Sequence, residues 1–548
     1  MEIIKIENLS FAYSESKTYL LDDISFSVGK GDFIILYGSS GCGKTTLLRL
    51  MKKELMPDGR TKGTIKYKGK EISKLDDRTS ASEIGFVMQD PDRQIVTDKV
   101  YRELAFGLEN LGEPGSVIRR KAAEISSVFG INKWFHSDTA TLSGGQKQLL
   151  NLASVMIMSP ELLLLDEPVS QLDPFSSAAF IEMLVRFNRE YGVTVIISEH
   201  NLEGIFSFAD TIAVIDKTKL KYWGVPRTCC GFFEKEAPIA EGMPVPARLY
   251  QKFGIKAVCP IDVREARLFM SRYCPNVVKK IKKPFRFNNN SYAAELEEVY
   301  FRYDRKSPDI LSGITMRVRK GEIYAVVGSN GCGKTTLLSV ILGQLSPYRG
   351  KIYIGGVKYS GASKIATIPQ NPVTLFTDDI LRDDLISFAE SSGMQKEIAP
   401  SAVYDLCRTL GIVGVLHNHV YDLSGGEIQK AALAKIMISN PDVILLDEPT
   451  KGVDAWSKKS FSEILKRLAK EGKAIIIVTH DNEFAAETAD ICGLLFDGTI
   501  ITEAPSNEFY SQNDFYTTVC SRITKGFFEN AVTFDDLISL CKENGGVK

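Results

Sequence analysis

The sequence lacks the features that mark several large classes of protein. No stretch approaches the roughly 18 to 20 apolar residues that a membrane-spanning helix needs, and its longest apolar runs have the length of a buried strand. The charges nearly balance, with 67 Lys and Arg against 68 Asp and Glu, so composition gives no general argument for a nucleic-acid partner. None of the ten cysteines forms a CxxC pair, which disfavours zinc and iron–sulfur sites.

The start of the chain also lacks a targeting signal. Met1 to Lys5 has neither the basic residues nor the following apolar stretch of a signal peptide. We therefore expect a cytoplasmic protein with reduced thiols, located at the cytoplasmic face of the cell membrane if it docks on a membrane partner.

A glycine-rich stretch with the pattern of a phosphate-binding loop occurs twice. Each copy follows an apolar strand and opens into an apolar helix, so its backbone N–H groups and the helix N-terminus can surround phosphates. The lysine supplies a point charge, and the first threonine offers a hydroxyl to Mg2+. A single copy could be a turn that binds nothing, but the second copy indicates a duplicated nucleotide-binding domain. The copies are Gly38-Ser39-Ser40-Gly41-Cys42-Gly43-Lys44-Thr45-Thr46 and Gly328-Ser329-Asn330-Gly331-Cys332-Gly333-Lys334-Thr335-Thr336.

Two further positions recur around these loops. Tyr13 and Tyr303 precede them at the same place; either could be an ordinary strand aromatic, but the recurrence favours stacking on an adenine ring. Gln89 and Gln370 each follow a short apolar strand after the loop, where an amide can reach a metal ion or a water molecule.

Polar groups then return in the same order in both halves. Ser143 and Gly145, and later Ser424 and Gly426, begin an apolar helix; this arrangement predicts a second anion site, although a simple helix N-cap would suffice for one copy. An acidic pair next ends each buried strand, at the edge where an open α/β sheet binds its ligand. Of the five histidines, two follow the next strand. The acidic pairs are Asp166-Glu167 and Asp447-Glu448, and the histidines are His200 and His480.

The complete series resembles the ATP-binding-cassette (ABC) ATPases. The resemblance implies an α/β fold with two P-loop nucleotide-binding domains in tandem, each with a RecA-like core, an antiparallel β subdomain and a helical signature subdomain. It places the first domain at 1–225, a linker at 226–291, the second domain at 292–505 and a helical tail at 506–548. It also implies ATP and Mg2+ as cofactors and ATP hydrolysis as the activity.

In that family each ATP lies between the phosphate loop of one cassette and the signature motif of the other. Transferred to this chain, Glu167 and Glu448 would polarise the attacking water, and His200 and His480 would contact the γ-phosphate. The expected Mg2+ ligands are Thr45, Gln89, Asp166, Thr335, Gln370 and Asp447. Ser424 and Gly426 would complete the first site, and Ser143 and Gly145 the second. The departures, Glu427 and Gln171, remove no catalytic group, so two hydrolytic sites are expected.

Several segments resemble the ATPases of energy-coupling-factor (ECF) importers more specifically. The resemblance implies a transmembrane scaffold subunit and a small substrate-binding membrane subunit as partners, and a vitamin or metal ion as cargo, with no nucleic acid expected. The segments are Gln89 to Val96, Ala105 to Gly112, Glu167 to Pro174, Pro369 to Pro372 and Leu375 to Asp379.

The alternative is a soluble tandem ABC ATPase acting on the ribosome or on nucleic acid. Such proteins carry a long helical arm between their cassettes, whereas residues 226–290 contain seven prolines, which exclude one continuous helix. We expect only a short helix around Val263 to Arg267. The Lys279 to Lys283 cluster could contact RNA or anionic lipid, or be a solvated linker. The tail should form one or two packed helices.

Overall fold

The computed structural model describes residues 1–14, 16–232, 238–255, 257–274, 279–280, 291–358 and 364–543. The chain divides into two units, Met1–Glu265 and Ala266–Lys548. None of the helices in the described residues combines the length and apolar character that crossing a bilayer requires.

The strands and helices of the first unit alternate as the sequence pattern predicts. Its strands are β1 Glu2–Tyr13, β2 Leu21–Gly29, β3 Phe33–Tyr37, β4 Gly59–Tyr67, β5 Lys70–Glu71, β6 Ile84–Val87, β7 Leu162–Asp166, β8 Thr194–Glu199, β9 Thr211–Asp216 and β10 Lys219–Gly224. Its helices are α1 Lys44–Leu50, α2 Asp77–Glu83, α3 Val100–Asn110, α4 Gly115–Val128, α5 Gly144–Met156, α6 Pro174–Tyr191, α7 Pro226–Cys229 and α8 Val245–Phe253.

The second unit repeats this order, and the boundary between the units falls within α9. Its strands are β11 Lys279–Lys280, β12 Tyr292–Phe301, β13 Leu311–Arg319, β14 Ile323–Val327, β15 Arg349–Ile354, β16 Val357–Lys358, β17 Ile365–Ile368, β18 Val443–Asp447, β19 Ala474–Thr479, β20 Ile491–Phe496, β21 Thr499–Pro505 and β22 Phe528–Glu529. Its helices are α9 Val263–Tyr273, α10 Lys334–Ile341, α11 Leu381–Ser391, α12 Ala399–Leu410, α13 Gly425–Ile438, α14 Ala455–Lys470, α15 Asn482–Thr488, α16 Ser506–Gln512, α17 Val519–Thr524 and α18 Phe534–Glu543.

Each unit contains one mainly parallel sheet of six strands and one antiparallel sheet of four. The six-stranded orders are β10-β9-β3-β8-β7-β6 and β17-β18-β19-β14-β20-β21, and in each the terminal pair, β9–β10 or β20–β21, is antiparallel. The four-stranded orders are β2-β1-β4-β5 and β13-β12-β15-β16. In the first unit β8 lies between β3 and β7, so the ends of these three strands meet at one edge.

Burial explains why the central strands are continuous apolar runs. Leu162 to Leu165 in β7 are fully buried, because helices or the second sheet cover both faces of the six-stranded sheet. One face packs with the phosphate-loop helix and β1–β2, and the other with the helical layer. That helical layer comprises α3, α4, α5 and α6, with α11, α12, α13 and α14 in the second unit.

The segment between the repeated halves contains short helices. Its prolines break it into α7, α8 and α9, and α9 confirms the short helix expected around Val263. Lys279 and Lys280 form β11, which pairs in parallel with β22, whereas Ile281 to Lys283 lie outside the described residues.

The tail differs from the one or two helices expected. It forms three, α16, α17 and α18, since the chain bends after Asn513 and turns again at Gly526, whose φ is 92°. The Arg267 side chain of α9 donates to the carbonyl oxygens of Arg522 and Lys525, each at 2.9 Å, so α9 and the tail pack together within the second unit.

Candidate functional site

The first glycine-rich loop joins β3 to α1 and curls around the Lys44 ammonium. Lys44 Nζ donates to the carbonyl oxygens of Gly38 and Ser39, at 2.7 and 3.1 Å. A side chain at Gly38 would place its Cβ 2.3 Å from the Ile215 carbonyl oxygen, so this position requires glycine. Gly41 and Gly43 have positive φ values of 78° and 100°, which glycine adopts without strain.

Asp166 is the last residue of β7, and Glu167 directly follows it. Thr45 Oγ1 lies 2.9 Å from Asp166 Oδ1, and Ser198 of β8 donates to the same oxygen at 2.8 Å. Burial raises the pKa of Asp166, although the hydroxyl donors oppose this effect. Glu167 has a φ of 42°, a conformation that costs a non-glycine residue energy and is common at functional sites.

The Glu167 carboxylate is the centre of the polar cluster. Its Oε1 lies 3.6 Å from Lys44 Nζ, and its Oε2 lies 3.2 Å from His200 Nδ1. Gln89 Nε2 donates to Oε2 at 3.0 Å. Burial raises the pKa of Glu167, but His200 and Lys44 outweigh burial and lower it to about 2. The structure therefore brings three of the predicted residues, Lys44, Gln89 and His200, together around one ionised carboxylate.

The second unit repeats this cluster. Lys334 Nζ donates to the carbonyl oxygens of Gly328 and Ser329, at 2.9 and 3.1 Å, and lies 3.4 Å from Glu448 Oε1. His480 Nδ1 lies 2.9 Å from Glu448 Oε2. Burial raises the pKa of Glu448, but His480 and Lys334 outweigh it, so the pKa is lowered. Burial also raises the pKa of Asp447.

The two clusters differ in the glutamine. Gln370 is exposed, and in the described part of the chain no hydrogen bond joins it to Glu448. The backbone N–H of His480 instead donates to Glu448 Oε2 at 3.1 Å. The second glutamate is therefore held by the residue that follows β19.

Two residues of β8 complete the first cluster and were not among the sequence candidates. Ser198 bonds to Asp166, and Glu199 is almost fully buried, with Oε1 lacking a hydrogen-bond partner among the described residues. Burial raises the pKa of Glu199 well above its usual value. Comparing the residues just before the two histidines would have found them, because Val478 and Thr479 stand there in the second half.

Tyr13 and Tyr303 lie beside the phosphate loops, as their position in the sequence suggested. Their hydroxyls form hydrogen bonds with Thr46 Oγ1 at 2.9 Å and with Thr336 Oγ1 at 3.1 Å. Their side chains are 41% and 62% exposed, so each ring presents an accessible aromatic surface.

Ser143 and Ser424 are the N-caps of α5 and α13. The Ser143 hydroxyl accepts from the Gln146 backbone N–H at 3.3 Å, whereas the Ser424 hydroxyl donates to Glu427 Oε2 at 2.7 Å. Ser143, Gly145, Ser424 and Gly426 make none of the contacts of the Lys–Glu–His clusters within their own units. A role as helix N-caps therefore accounts for Ser143 and Ser424 within each unit, and an anion site at these helices remains a proposal.

The oxygen donors suit a Mg2+ ion. Thr45 Oγ1 and Asp166 Oδ1 are 2.9 Å apart, about the separation of two adjacent oxygens in an octahedron with bonds of roughly 2.0 to 2.1 Å. In the second unit Asp447 Oδ1 is buried without a hydrogen-bond partner among the described residues. A hydroxyl, a carboxylate and a glutamine amide form the hard oxygen set that Mg2+ prefers.

A buried acid fixes the segment that follows each glutamine. Glu103 Oε2 accepts the backbone N–H groups of Val96 and Thr97, at 3.1 and 2.8 Å. In the second unit Asp384 Oδ1 accepts from Thr377 at 2.8 Å, and Lys435 Nζ lies 2.7 Å from Asp384 Oδ2.

This segment also contacts the helix that Ser143 begins. Asn151 Nδ2 donates to the Pro91 carbonyl oxygen at 3.1 Å. Gln148 Nε2 donates to the carbonyl oxygen of Met88, the residue before Gln89, at 3.2 Å. In the second unit, Lys435 of α13 donates to the Leu375 carbonyl oxygen. A displacement of the segment would therefore act on α5 or α13.

Comparison with known proteins agrees with this fold and site. A family model described as "ABC transporter" matches residues 21–170 and 311–451. A protein of Bacillus thuringiensis subsp. konkukian, named provisionally as an ABC transporter ATP-binding protein, is 39% identical over 98% of both chains. A Bacillus subtilis protein, named provisionally as the HMP/thiamine import ATP-binding protein YkoD, is 31% identical over 93% of both. A Methanosarcina acetivorans protein, named provisionally as an ABC transporter ATP-binding protein, is 29% identical over 93% of this chain and 86% of its own.

The chain belongs to the ABC transporter ATP-binding family. It is an ATP-binding subunit of an ABC transporter, with two nucleotide-binding units and ATPase activity. The predicted fold class and enzyme class are confirmed. Subunits of this kind generally work with membrane components.

Proposed function

We propose that this chain is the motor subunit of an ECF-type importer for a vitamin or a metal ion. The observation that carries the proposal is that the complete Lys–Asp–Glu–His set occurs in both units, so both halves have the groups needed to hydrolyse ATP. The segments around Gln89 and Gln370 that resemble ECF ATPases, and the relative named for HMP/thiamine import, support the importer class.

Each lysine holds the β- and γ-phosphates, and each glutamate orients a water molecule toward the γ-phosphorus. The low pKa of Glu167 keeps its carboxylate ionised, so it accepts hydrogen bonds from the water. His200 and His480 lie against the glutamates, where each can contact the γ-phosphate. Tyr13 and Tyr303 stack on adenine.

Mg2+, when bound, would neutralise charge on the phosphate oxygens. Thr45, Gln89 and Asp166 would hold it in the first unit, and Thr335, Gln370 and Asp447 in the second. From the family resemblance we further propose that the Ser424 segment completes the first ATP site and that the Ser143 segment completes the second.

Hydrolysis is coupled to transport through the segments that follow the glutamines. The carbonyl oxygens of Met88, just before Gln89, and of Pro91, just after it, bond to α5, the helix that Ser143 begins. Val96, within the segment after Gln89, is 68% exposed. A membrane scaffold that presses on this segment would therefore act on Gln89 and on the signature helix together.

The test is a mild-detergent purification of tagged Glu167→Gln/Glu448→Gln protein from its own host, followed by mass spectrometry. We expect a multi-spanning membrane scaffold and a small membrane protein to copurify, and the small protein would identify the cargo class. A Lys44→Ala/Lys334→Ala protein is the control for nucleotide dependence. Recovery of ribosomes without membrane subunits would replace the importer proposal with the translation class.

A further inference from the structure

The ends of β8 and β19 present different side chains to the two acidic pairs. In the sheet of the first unit Asp166 pairs with Ser198, and in the second Asp447 pairs with Val478. Both positions lie two residues before the histidine. The two halves are therefore matched here in backbone register and differ in one hydroxyl group.

The Ser198 hydroxyl makes two hydrogen bonds in the first unit. It donates to Asp166 Oδ1 at 2.8 Å and accepts from the Glu167 backbone N–H at 3.0 Å. Ser198 is fully buried, so water does not compete for these bonds. The bridge fixes both the orientation of the Asp166 carboxylate and the strained start of the following loop.

The second unit has no equivalent of this bridge among the described residues. Val478 offers only its carbonyl oxygen, which accepts from the Glu448 backbone N–H at 2.9 Å. Asp447 Oδ1 is left buried without a partner in the described residues. The orientation of this carboxylate is therefore less restrained than that of Asp166.

We propose that Ser198 is a positioning residue which presents Asp166 to Mg2+, and that the first site consequently binds Mg2+ more tightly than the second. The inference rests on the metal role assigned to Asp166 and Asp447 in the proposed function. Ligating carboxylates are generally hydrogen-bonded by outer partners, and loss of such a partner lowers metal affinity about 10- to 100-fold.

An opposing effect is that a buried oxygen without a partner gains a partner when a metal binds. An unsatisfied buried acceptor costs about 1–3 kcal/mol. The free energy gained when a metal satisfies it is therefore comparable with the affinity lost without an outer partner. The loss of metal affinity by about 10- to 100-fold already includes this gain. A carboxylate that has lost its outer partner also gains a partner when the metal binds, and its affinity is still lower. Orientation of the carboxylate therefore decides the difference between the sites.

The experiment measures nucleotide affinity rather than turnover. Full-length chains with Lys334→Ala report on the first site, and those with Lys44→Ala on the second. A fluorescent ATP analogue is titrated in Mg2+ and in EDTA, and the ratio of the two dissociation constants measures the contribution of the metal. We expect a larger ratio for the first site.

The variants exchange the hydroxyl between the sites. Ser198→Val should lower the ratio of the first site about tenfold or more and leave the affinity in EDTA unchanged. Val478→Ser should raise the ratio of the second site, and it remains informative if Ser198→Val does not fold. Thr194→Val removes another buried hydroxyl from β8, one that accepts from the Gly31 backbone N–H, and should leave the ratio unchanged.

Two results overturn the proposal in distinguishable ways. If Mg2+ strengthens nucleotide binding but neither exchange alters the ratio, the role of Ser198 is wrong and the proposed metal ligands stand. If Mg2+ has no effect at either site, the metal role in the proposed function fails with it.

Discussion

His480 Nδ1 lies 2.9 Å from Glu448 Oε2. Glu448 directly follows β18 and His480 directly follows β19, and these neighbouring parallel strands bring together two residues that are distant in the chain. Glu448 and Lys334 are also in contact. The same three residue types meet in the first unit, so the chemistry of each half can be tested with matched substitutions.

Replacing both glutamates should abolish turnover but preserve nucleotide binding. Glu167→Gln/Glu448→Gln keeps the shape of both side chains and removes the carboxylates, so we expect the ATPase rate to fall by about 100-fold or more. Each single variant should retain the contribution of the other site. Phosphate release measures the rate, and equilibrium binding of ATP is the control. A double variant with the parent rate would disprove the catalytic assignment.

The exposed rings of Tyr13 and Tyr303 should contribute to adenine binding. Tyr13→Ala should weaken ATP binding at the first site by about 1–3 kcal/mol, the usual contribution of one base stacked on an aromatic ring. Tyr13→Phe retains the ring and loses the hydrogen bond to Thr46, so most of the affinity should remain. Titration calorimetry in a Lys334→Ala chain measures the change. Equal losses in both variants would assign the effect to the hydroxyl rather than to stacking.

The buried pair of Lys435 and Asp384 should be important for the second helical layer. Both side chains are at most 9% exposed, so Lys435→Met leaves a buried carboxylate without its cation, and such losses cost about 3–5 kcal/mol. We expect a lower unfolding temperature for the second unit in calorimetry. Lys470→Met on the exposed end of α14 is the control. Lys435→Met/Asp384→Asn removes the charge and keeps an oxygen that can accept the Thr377 N–H, so it should recover part of the loss; no recovery would exclude the unpaired charge as the cause.

Stability should depend on pH through Glu199. Because burial raises the pKa of Glu199 above the usual 4.5, the folded protein favours the neutral acid. The contribution of neutral Glu199 to the free energy of unfolding is complete below the unfolded-state pKa. It is lost as pH rises through the folded-state pKa. Glu199→Gln cannot ionise, so its unfolding temperature should exceed that of the parent by a margin that grows above about pH 4.5.

Thermal unfolding at several pH values measures this margin. Glu182→Gln, on the exposed face of α6, provides the comparison for a surface acid. A margin that stays constant or shrinks as pH rises would contradict the neutral state of Glu199.

The motifs could be found in the sequence because each has a local cause. The P-loop needs glycines at fixed positions, since a Cβ at Gly38 would meet the Ile215 carbonyl oxygen. The acidic pairs follow runs such as Leu162 to Leu165, which only a strand buried on both faces explains. The duplication then gave each motif an internal control.

Other features depend on contacts that spacing does not encode. Comparison of the two halves shows that Ser198 stands where the second half has Val478, but its contact with Asp166 became apparent only when β8 was placed beside β7. The three helices of the tail were also not predicted, because its apolar residues pack against a core formed elsewhere in the second unit.

The sequence by itself therefore determined the class of protein and the duplication, and it supplied the residues proposed for catalysis, because these depend on local backbone geometry and on the order of motifs. Only the tertiary structure decided how the two sites differ. Strand pairing places Ser198 opposite Asp166 and Val478 opposite Asp447. Because these positions are buried, water cannot replace the hydroxyl that the second site lacks.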